Sequence, residues 1–276
     1  MKFDASLIIS VYNKVRELNF VLAALERQSF KNFEIIIADD GSKNEIKDVV
    51  DFYRNKNSLF ISHIWQPDDG FRKNKILNKS IIHSSTDYLI FIDGDCIPHH
   101  KFVEEHIYNR ESNTVLCGSR VLLSKNFSDN LKLIDITNGV FENFNMSLLF
   151  ESFLRQASRI EEAIYIKNKI IRKILKNRNV RLLGSNFSIE KPLLFEVNGF
   201  NEEYEAPGLG EDSDLEYRLS LLNVKFKSVR NLAILYHLYH PKTIESPNNR
   251  ILFESIKMEK RFKAKFGIKE SLNYND

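Results

Sequence analysis

The chain has 276 residues, of which 43% are hydrophobic and 28% charged, and its formal net charge is only +3. This length and composition can bury a substantial core, so we expect a folded domain and not a disordered segment. The small net charge argues against binding of a large polyanion through the overall field. Aromatic residues also do not interleave with basic ones in any stacking pattern, so we expect no nucleic-acid partner.

The apolar runs in the sequence are short. The run in MKFDASLIISVYNK covers five or six residues and follows an acidic residue, which argues against a secretory signal. No run approaches the ~18 to 20 apolar residues that cross a bilayer. Two cysteines, Cys96 and Cys117, are too few for a disulfide framework and match no zinc spacing. These features predict a cytoplasmic protein with reduced, buried cysteines.

The first hundred residues alternate between strand and helix patterns. Apolar runs predict strands at 6–11, 33–40, 59–65 and 87–93, with helices at 14–29, from Asn44 onward and at 71–84. Strands that are apolar throughout and separated by helices indicate a mostly parallel sheet covered on both faces. Ligands bind beyond the carboxyl ends of such strands, so we expect the polar residues there to converge on one crevice. They are Ser10, Tyr12, Asn13, Asp39, Asp40, Asp93 and Asp95.

The second half of the chain is less regular. Apolar residues at helical spacing predict a long helix over 147–178, the second part of which is basic. Further along, the patterns predict a helix at 212–223, strands near 225–228 and 232–236, and a basic helix from about 248 to 266. The basic, partly apolar C-terminal helix fits either peripheral contact with an anionic membrane or packing with a solvated basic face.

Two aspartates separated by one glycine end the strand in LIFIDGDCIPHH. Carboxylates ~4 Å apart repel each other by about 1 to 4 kcal/mol when partly solvated, unless a cation lies between them. Mg²⁺ or Mn²⁺ would remove this repulsion, because both take carboxylate and phosphate oxygens together. Gly94 lets the backbone approach a ligand closely. An Asp-Gly pair is also a common turn, so the spacing alone leaves both readings open.

Six ordered segments together resemble glycosyltransferase family 2. They are SLIISVYNK, QSFKNFEIIIADDGS, QPDDGFRKNKILNKSI, YLIFIDGDCIPHH, LLGSNFSI and VNGFNEEYEAPGLGEDSDLEYRL. The later ones look most like the branch with bacterial chondroitin-type polymerases and a galactosyltransferase-like C-terminal half. The resemblance covers roughly residues 4–240 and implies a GT-A fold, an α/β Rossmann-like architecture with a mostly parallel central sheet flanked by helices.

The resemblance implies a domain organisation and a set of donor contacts. It implies a GT-A domain over 1–240, divided into a nucleotide-sugar half (1–118) and an acceptor half (119–240), with a helical extension over 241–276. Ser10 and Tyr12 would line the nucleotide base. Asp40 stands where the family pairs an aspartate with uracil, which implies a donor activated by uridine diphosphate (UDP).

Further donor contacts follow from the same resemblance. Asp68, Arg72 and Asn78 match positions that border the donor pocket, where Arg72 would neutralise a phosphate or hold the base. Asp93 would lie near the ribose, and Asp95 would ligate the metal, Mn²⁺ or Mg²⁺, that bridges both phosphates. A metal of this kind stabilises the charge that develops on a departing diphosphate.

Several acids begin the predicted helix at 212–223. Acids in a first helical turn are favoured by the helix dipole without any catalytic role. The family resemblance nevertheless implies that Asp212 is the general base and that Glu211, Asp214 and Asn186 lie on the acceptor side, although Asp214 is equally suited to cap the helix. Some relatives have a tryptophan before this glycine-rich loop. Here Pro207 begins the PGLG loop and that tryptophan is absent, which leaves the identity of the acceptor open.

Histidines are the remaining candidate metal ligands. His237 follows a predicted strand and is our choice to complete the shell begun by Asp95, while His240 would contact diphosphate or take that place. His99 and His100 precede a predicted helix, and we expect them to face solvent.

Together these features predict an inverting, metal-dependent transferase. It would move a hexose or N-acetylhexosamine from a UDP-sugar to a saccharide or lipid-linked saccharide, in bacterial surface polysaccharide synthesis at the inner face of the membrane. A non-catalytic nucleotide-sugar or glycan binder is the main alternative. A sugar-phosphate nucleotidyltransferase would need a glycine- and arginine-rich N-terminal loop, which is missing. A dinucleotide-dependent dehydrogenase would need a G-x-G-x-x-G motif after the first strand, and that is also absent.

Overall fold

The computed structural model describes residues 2–142, 159–168, 170–172, 180–241 and 246–273. The strands are β1 (Ala5–Val11), β2 (Phe33–Asp39), β3 (Ile61–Trp65), β4 (Tyr88–Asp93), β5 (Cys96–Pro98), β6 (Thr114–Cys117), β7 (Ser119–Leu122), β8 (Asn186–Glu190), β9 (Lys225–Ser228) and β10 (Ile234–His237). The α-helices are α1 (Val15–Glu26), α2 (Asn44–Asn55), α3 (Lys73–His83), α4 (Phe102–Tyr108), α5 (Lys125–Asn130), α6 (Leu133–Asn138), α7 (Lys191–Glu196), α8 (Glu211–Ser220), α9 (Pro247–Met258) and α10 (Ile268–Asn273). Short 3₁₀ turns occupy Val140–Glu142 and Ile160–Ala163.

The central sheet has seven strands in the order β3-β2-β1-β4-β8-β6-β9. Its first four strands are parallel to one another, β8 runs antiparallel to both β4 and β6, and β9 is parallel to β6. The predicted mostly parallel α/β sheet is therefore confirmed. Strands from both proposed halves share this one sheet, and the boundary near residue 118 stays a prediction.

Helices cover both faces of the sheet, as the fully apolar strands require. Along β1 the buried side chains alternate, since Leu7 and Ile9 pack in one core cluster and Ile8 packs in the other. Helices α1 and α2 contribute to the first cluster, and α3 and α8 contribute to the second. The carboxyl ends of β1, β2 and β4 lie at one edge of the sheet, where Val11, Ala38 and Asp93 line a cleft available to a ligand.

A second, three-stranded sheet has the order β5-β10-β7. Strand β10 is antiparallel to β5, and His237 pairs with Cys96. The backbone N–H of Leu238 donates to the carbonyl of Asp95 over 3.0 Å. This small sheet therefore brings the end of β10 directly beside the aspartate pair that follows β4.

The long helix predicted over 147–178 is wrong for residues 159–168, whereas residues 170–172 are helical. Residues 143–158, 169 and 173–179 lie outside the described residues. Between them, Arg159 has a left-handed backbone (φ 59°), and the chain after the 3₁₀ turn is irregular up to residue 168. The N–H of Ile166 donates to the Asn231 carbonyl over 2.8 Å, and Tyr165 packs against the core. These tertiary contacts override the helical spacing of the apolar residues.

The C-terminal helix is shorter than the sequence predicts. Helix α9 ends at Met258, since Lys260 has positive φ (50°) and the buried Ala264 donates its N–H to the Val197 carbonyl over 3.0 Å. Cys96 and Cys117 are buried and unbonded to each other, as predicted. Within the described ranges, no helix combines the length and apolar character needed to span a bilayer.

Candidate active site

A cleft of about 650 Å³ opens at the carboxyl ends of the parallel strands. Ten of the residues predicted from sequence line it, and seven do not. The ten are Ser10, Tyr12, Asp40, Asp93, Gly94, Asp95, Glu211, Asp212, His237 and His240. The seven are Asn13, Asp39, Asp68, Arg72, Asn78, Asn186 and Asp214.

Strand register explains why the polar strand ends lie together. Ser10 of β1 is opposite Asp93 of β4, and its Oγ donates to Asp93 Oδ1 over 2.8 Å. The N–H of Gly94 donates to the Ser10 carbonyl over 2.7 Å. A Cβ at position 94 would lie 3.0 Å from that carbonyl oxygen and 3.2 Å from Val11. Glycine therefore allows the ends of β1 and β4 to approach each other this closely.

Asp40 forms the inner wall of one end of the cleft. Its Oδ1 accepts from Gln66 Nε2 over 2.7 Å, and its Oδ2 accepts from the backbone N–H of Arg72 over 3.0 Å. Burial raises the pKa of the Asp40 carboxyl, although both hydrogen bonds oppose that shift. The Asp39 carboxylate instead accepts from the N–H of Ser42 over 2.8 Å, in the turn before α2. Sequence reasoning did not find Gln66.

Asp68 and Arg72 lie beside this end of the cleft and do not line it. Asp68 accepts from the hydroxyl of Tyr12 over 2.9 Å. Gly41 has positive φ (89°), and a Cβ there would lie 2.6 Å from the Asp68 backbone, so glycine is required for this approach. The Arg72 guanidinium is 3.5 Å from Glu205 and faces the surface, so its main-chain N–H, and not its charge, is what reaches Asp40.

A buried ion-pair cluster joins the two walls of the cleft. Lys73 Nζ is 2.9 Å from Asp93 Oδ1 and 2.8 Å from Glu211 Oε1. Burial alone would raise the pKa of Asp93, but the Lys73 ammonium and the Ser10 hydroxyl hold it well below its usual range. Burial raises the pKa of Glu211, and Lys73 opposes that shift. Lys73 was not predicted, because nothing in a single lysine signals that it bridges segments 138 residues apart.

Asp95 is the centre of the candidate metal site. It is 3% exposed, and the Nε2 atoms of His237 and His240 lie 3.5 and 3.6 Å from its two carboxylate oxygens. Burial lowers the pKa of His237 to about 4, so the imidazole is neutral and can act as a ligand. Lys14 forms an ion pair with Asp95. The thiol of Cys96 completes a group of ligand atoms within 4.8 Å of one another, but burial raises the pKa of Cys96 well above its usual value.

The charge of the cleft fits a divalent cation. Five carboxylates and three basic side chains line it, which leaves two excess negative charges in a partly enclosed space. The carboxylates belong to Asp40, Asp93, Asp95, Glu211 and Asp212, and the bases are Lys14, Lys73 and Arg120. An anionic diphosphate would be repelled by that excess, and one divalent ion held by Asp95 and a neutral imidazole would balance it.

Asp212 faces the cleft from the opposite wall, at the start of α8. Its Oδ1 accepts from the N–H of Ser213 over 2.7 Å, and its Oδ2 accepts from the N–H of Gly184 over 3.2 Å. These two bonds fix the carboxylate while leaving lone pairs for a further donor. The sequence analysis did not identify Arg120, whose Nη1 donates to Ser185 Oγ over 3.0 Å at the same wall.

Three predicted contacts with donor or acceptor do not match the geometry. Asn78 is fully buried, and its amide donates to the Phe200 carbonyl and to Glu202, each over 2.9 Å. Asn186 is fully buried as well, and its amide donates to the Ser119 carbonyl over 2.6 Å. Both amides satisfy backbone groups between elements, which explains their position inside the core.

Asp214 also has a structural role in place of an acceptor contact. Its carboxylate and the guanidinium of Arg218 are both fully buried and lie 2.7 Å apart. Arg218 donates further to the carbonyls of Val197 and Gly199 over 2.7 and 2.8 Å. The pair thus ties α8 to the turn after α7, because a buried guanidinium requires both a counter-charge and hydrogen-bond acceptors.

The prediction that His99 faces solvent is wrong. His99 is 4% exposed and stacks on Tyr165, with ring centroids 5.6 Å apart. His100 is partly exposed, and its Nδ1 is 2.6 Å from Glu142, which also pairs with Arg27 over 2.7 Å. The contacts around Glu142 that bury this corner come from segments distant in sequence, so the local helix-start pattern could not reveal them.

Comparisons with known proteins agree with this architecture. The sequence profile of glycosyl transferase family 2 matches residues 6–177, and that of the N-terminal domain of galactosyltransferase matches residues 170–241. The fold is that of GT-A glycosyltransferases. The chain belongs to glycosyl transferase family 2.

Three individual proteins illustrate the similarity. The chondroitin synthase of Escherichia coli is 27% identical over 86% of this chain, and the chain spans about a third (35%) of that enzyme's length. The structure of Staphylococcus aureus TarS 1-349 in complex with UDP-GlcNAc superposes with a TM-score of 0.62 at 17% identity, covering 98% of this chain and 69% of that one. GalNAc-T7, solved with UDP, GalNAc and Mn²⁺, has a TM-score of 0.62 at 13% identity, covering 92% of this chain and 48% of that one.

Proposed function

We propose that this chain is an inverting, divalent-cation-dependent transferase that moves a hexose or N-acetylhexosamine from a UDP-sugar to a saccharide hydroxyl. The observation that carries the proposal is the arrangement of three groups in one cleft. Asp40 occupies the end of the cleft suited to a nucleobase, Asp95 and His237 form a cation-binding pair, and Asp212 faces them from the other wall. Each group matches one requirement of glycosyl transfer from a nucleotide sugar.

The donor assignment rests on Asp40 and on the relatives. A buried carboxylate can accept the N3–H of uracil, while its two existing hydrogen bonds fix its orientation. The structure of TarS holds UDP-GlcNAc, and that of GalNAc-T7 holds UDP. These neighbours support a uridine nucleotide as the carrier of the sugar.

Asp95 and His237 are the residues that would hold Mn²⁺ or Mg²⁺, with His240 close enough to join them. Such a cation, when bound, neutralises negative charge on the departing diphosphate. The Mn²⁺ in GalNAc-T7 supports a divalent ion. Arg120 adds a guanidinium to the same cleft, where it can pair with phosphate oxygens.

Asp212 is the proposed general base. The acceptor hydroxyl oxygen attacks the anomeric carbon as its proton moves to the Asp212 carboxylate, and the bond between that carbon and the diphosphate oxygen breaks. One displacement from the face opposite the leaving group inverts the anomeric configuration. The products are the elongated acceptor, UDP and a protonated Asp212 that returns its proton to solvent.

The similarity to a chondroitin synthase supports a saccharide or lipid-linked saccharide as acceptor, in the synthesis of a bacterial surface polysaccharide. The cleft is consistent with this class of acceptor, because Glu211 and Asp212 present carboxylate oxygens at its open wall. Carboxylates are suitable acceptors for the hydrogen bonds of sugar hydroxyls.

A panel of nucleotide sugars tests this proposal. With Mn²⁺ present, we expect nucleoside diphosphate release from at least one UDP-sugar, and a loss of at least about two orders of magnitude in Asp95→Ala or after chelation, because the cation contributes several kcal/mol to the transition state. The matched control is Asp87→Ala, at the exposed amino end of the same strand. If UDP bound without hydrolysis or transfer, the binder reading would replace ours. If chelation changed nothing, metal dependence would be rejected.

A further inference from the structure

Lys73 connects two parts of the cleft that belong to different elements. Asp93 ends strand β4 on the donor side, and Glu211 begins helix α8 on the acceptor side. The Lys73 ammonium lies between them and makes a hydrogen bond of less than 3 Å to each. Both contacts are charge-assisted hydrogen bonds, which are stronger than those between neutral groups.

Removal of this ammonium would leave two carboxylates facing each other. All three groups are largely buried, with side-chain exposures of 17%, 24% and 18% for Lys73, Asp93 and Glu211. Buried like charges cannot both remain ionised and close, so one of them must move or take up a proton. Without Lys73, Asp93 keeps its hydrogen bond from the Ser10 hydroxyl. Within the part of the chain that the structure describes, Glu211 would keep no side-chain hydrogen bond, because its donor is Lys73. Glu211 is therefore the group we expect to move.

A shift of Glu211 would affect the neighbouring base. Gly184 packs against both acids, since a Cβ there would lie 3.2 Å from Glu211 Oε1 and 3.5 Å from the Asp212 Cβ. The N–H of Gly184 is also one of the donors that orient the Asp212 carboxylate. Glu211, Gly184 and Asp212 thus form one packed unit, and a displacement of about 1 Å in such a unit can cost about 10²-fold in rate.

We propose that Lys73 is a positioning residue that fixes the Glu211–Asp212 pair at its working distance from the donor-side Asp93. This inference rests on the proposed transferase function. Lys73 acts through the two carboxylates and not on the reacting atoms. Its removal should therefore impair transfer to the acceptor more than cleavage of the donor by water, since water needs no acceptor-side alignment.

The test is the ratio of sugar transfer to donor hydrolysis in Lys73→Met. We expect this ratio to fall at least tenfold. Lys73→Arg should restore the ratio to within about threefold, because a guanidinium can also bridge two carboxylates. The ratio does not depend on the fraction of folded enzyme, so simple destabilisation would leave it unchanged.

Two further variants sharpen the result. Lys191→Met removes a partly buried lysine that donates to the Ser84 carbonyl outside the cleft, and it should leave the ratio unchanged. In a double-mutant cycle, Lys73→Met combined with Glu211→Gln should lose no more than Lys73→Met alone, because the unpaired carboxylate is gone. A Lys73→Met enzyme with an unchanged ratio, or additive losses in the cycle, would overturn the inference. A wild type that transfers no sugar would instead contradict the proposed function.

Discussion

Asp212 is the residue on which bond formation depends in this account. It is held by two backbone N–H groups, from Ser213 and Gly184, and it faces the cleft from the wall opposite Asp95. A carboxylate fixed in this way can accept a proton without first reorganising. The neighbouring Glu211 is engaged with Lys73, so the two acids at the start of α8 have different surroundings and different roles.

Replacement of Asp212 by asparagine should separate catalysis from donor binding. We expect Asp212→Asn to lower the rate of transfer by about two to four orders of magnitude, because an amide cannot take the acceptor proton. Its affinity for UDP should stay within about threefold of wild type, as measured by calorimetry. Asp48→Asn, at an exposed position on α2, is the matched control. Transfer within tenfold of wild type would reject Asp212 as the base.

At the residue scale, sequence alone could predict the acids that end strands. Asp40, Asp93 and Asp95 follow apolar strands, and parallel strand ends necessarily meet at one edge of a sheet. Lys73 and Arg120 could not be predicted in the same way, because their partners come from distant segments. Asn78 was misplaced for a related reason, since a position within a motif does not reveal whether the side chain points into the cleft or into the core.

At the element scale, the first half of the chain could be predicted from sequence more completely than the second half. Strands β1 to β4 and helices α1 to α3 were predictable because the strands are short apolar runs, and polar breaks separate them from the helical stretches. The segment 159–168 has helical spacing but forms hydrogen bonds to Asn231 instead, so tertiary contacts determined its conformation. The extent of α9 was overestimated because the apolar Ala264 was counted as part of the helix. It is buried instead against the turn after α7.

The segment after α9 is the element on which the predicted membrane contact depends. Met258, Phe262 and Phe266 are 85%, 39% and 45% exposed. Lys263 and Lys265 lie over the rings of the two phenylalanines at 5.3 and 5.4 Å. Apolar side chains that alternate with basic ones at the surface are suited to the headgroup region of an anionic bilayer.

Vesicle co-sedimentation tests this prediction. We expect the protein to bind vesicles that contain phosphatidylglycerol more strongly than neutral ones, and Phe262→Ser/Phe266→Ser to reduce that binding at least fivefold. The matched control is Phe52→Ser, which removes another exposed phenylalanine (56%) that has a lysine over its ring, on α2. Equal binding to neutral vesicles, or no effect of the double substitution, would favour the solvated basic face instead.

At the scale of the whole molecule, one sheet organises the site. Its parallel strands bring the nucleotide-side acids to one edge, the small sheet delivers His237 to Asp95, and α8 supplies the opposite wall. The net negative charge of the cleft is the common electrostatic feature. We therefore expect the binding of a nucleoside diphosphate to depend on a divalent cation, because the anion would otherwise enter a cleft that already has excess carboxylates.

The most direct test of the central claim is a calorimetric titration of UDP into the wild-type protein with and without Mn²⁺. We predict UDP binding in the presence of Mn²⁺, an affinity at least tenfold lower after chelation, and the same loss in Asp95→Ala. We also predict much weaker binding of CDP, because the N3 atom of cytosine has no hydrogen to donate to the Asp40 carboxylate. No binding of UDP under any of these conditions, or an affinity that is the same with and without Mn²⁺, would contradict the account.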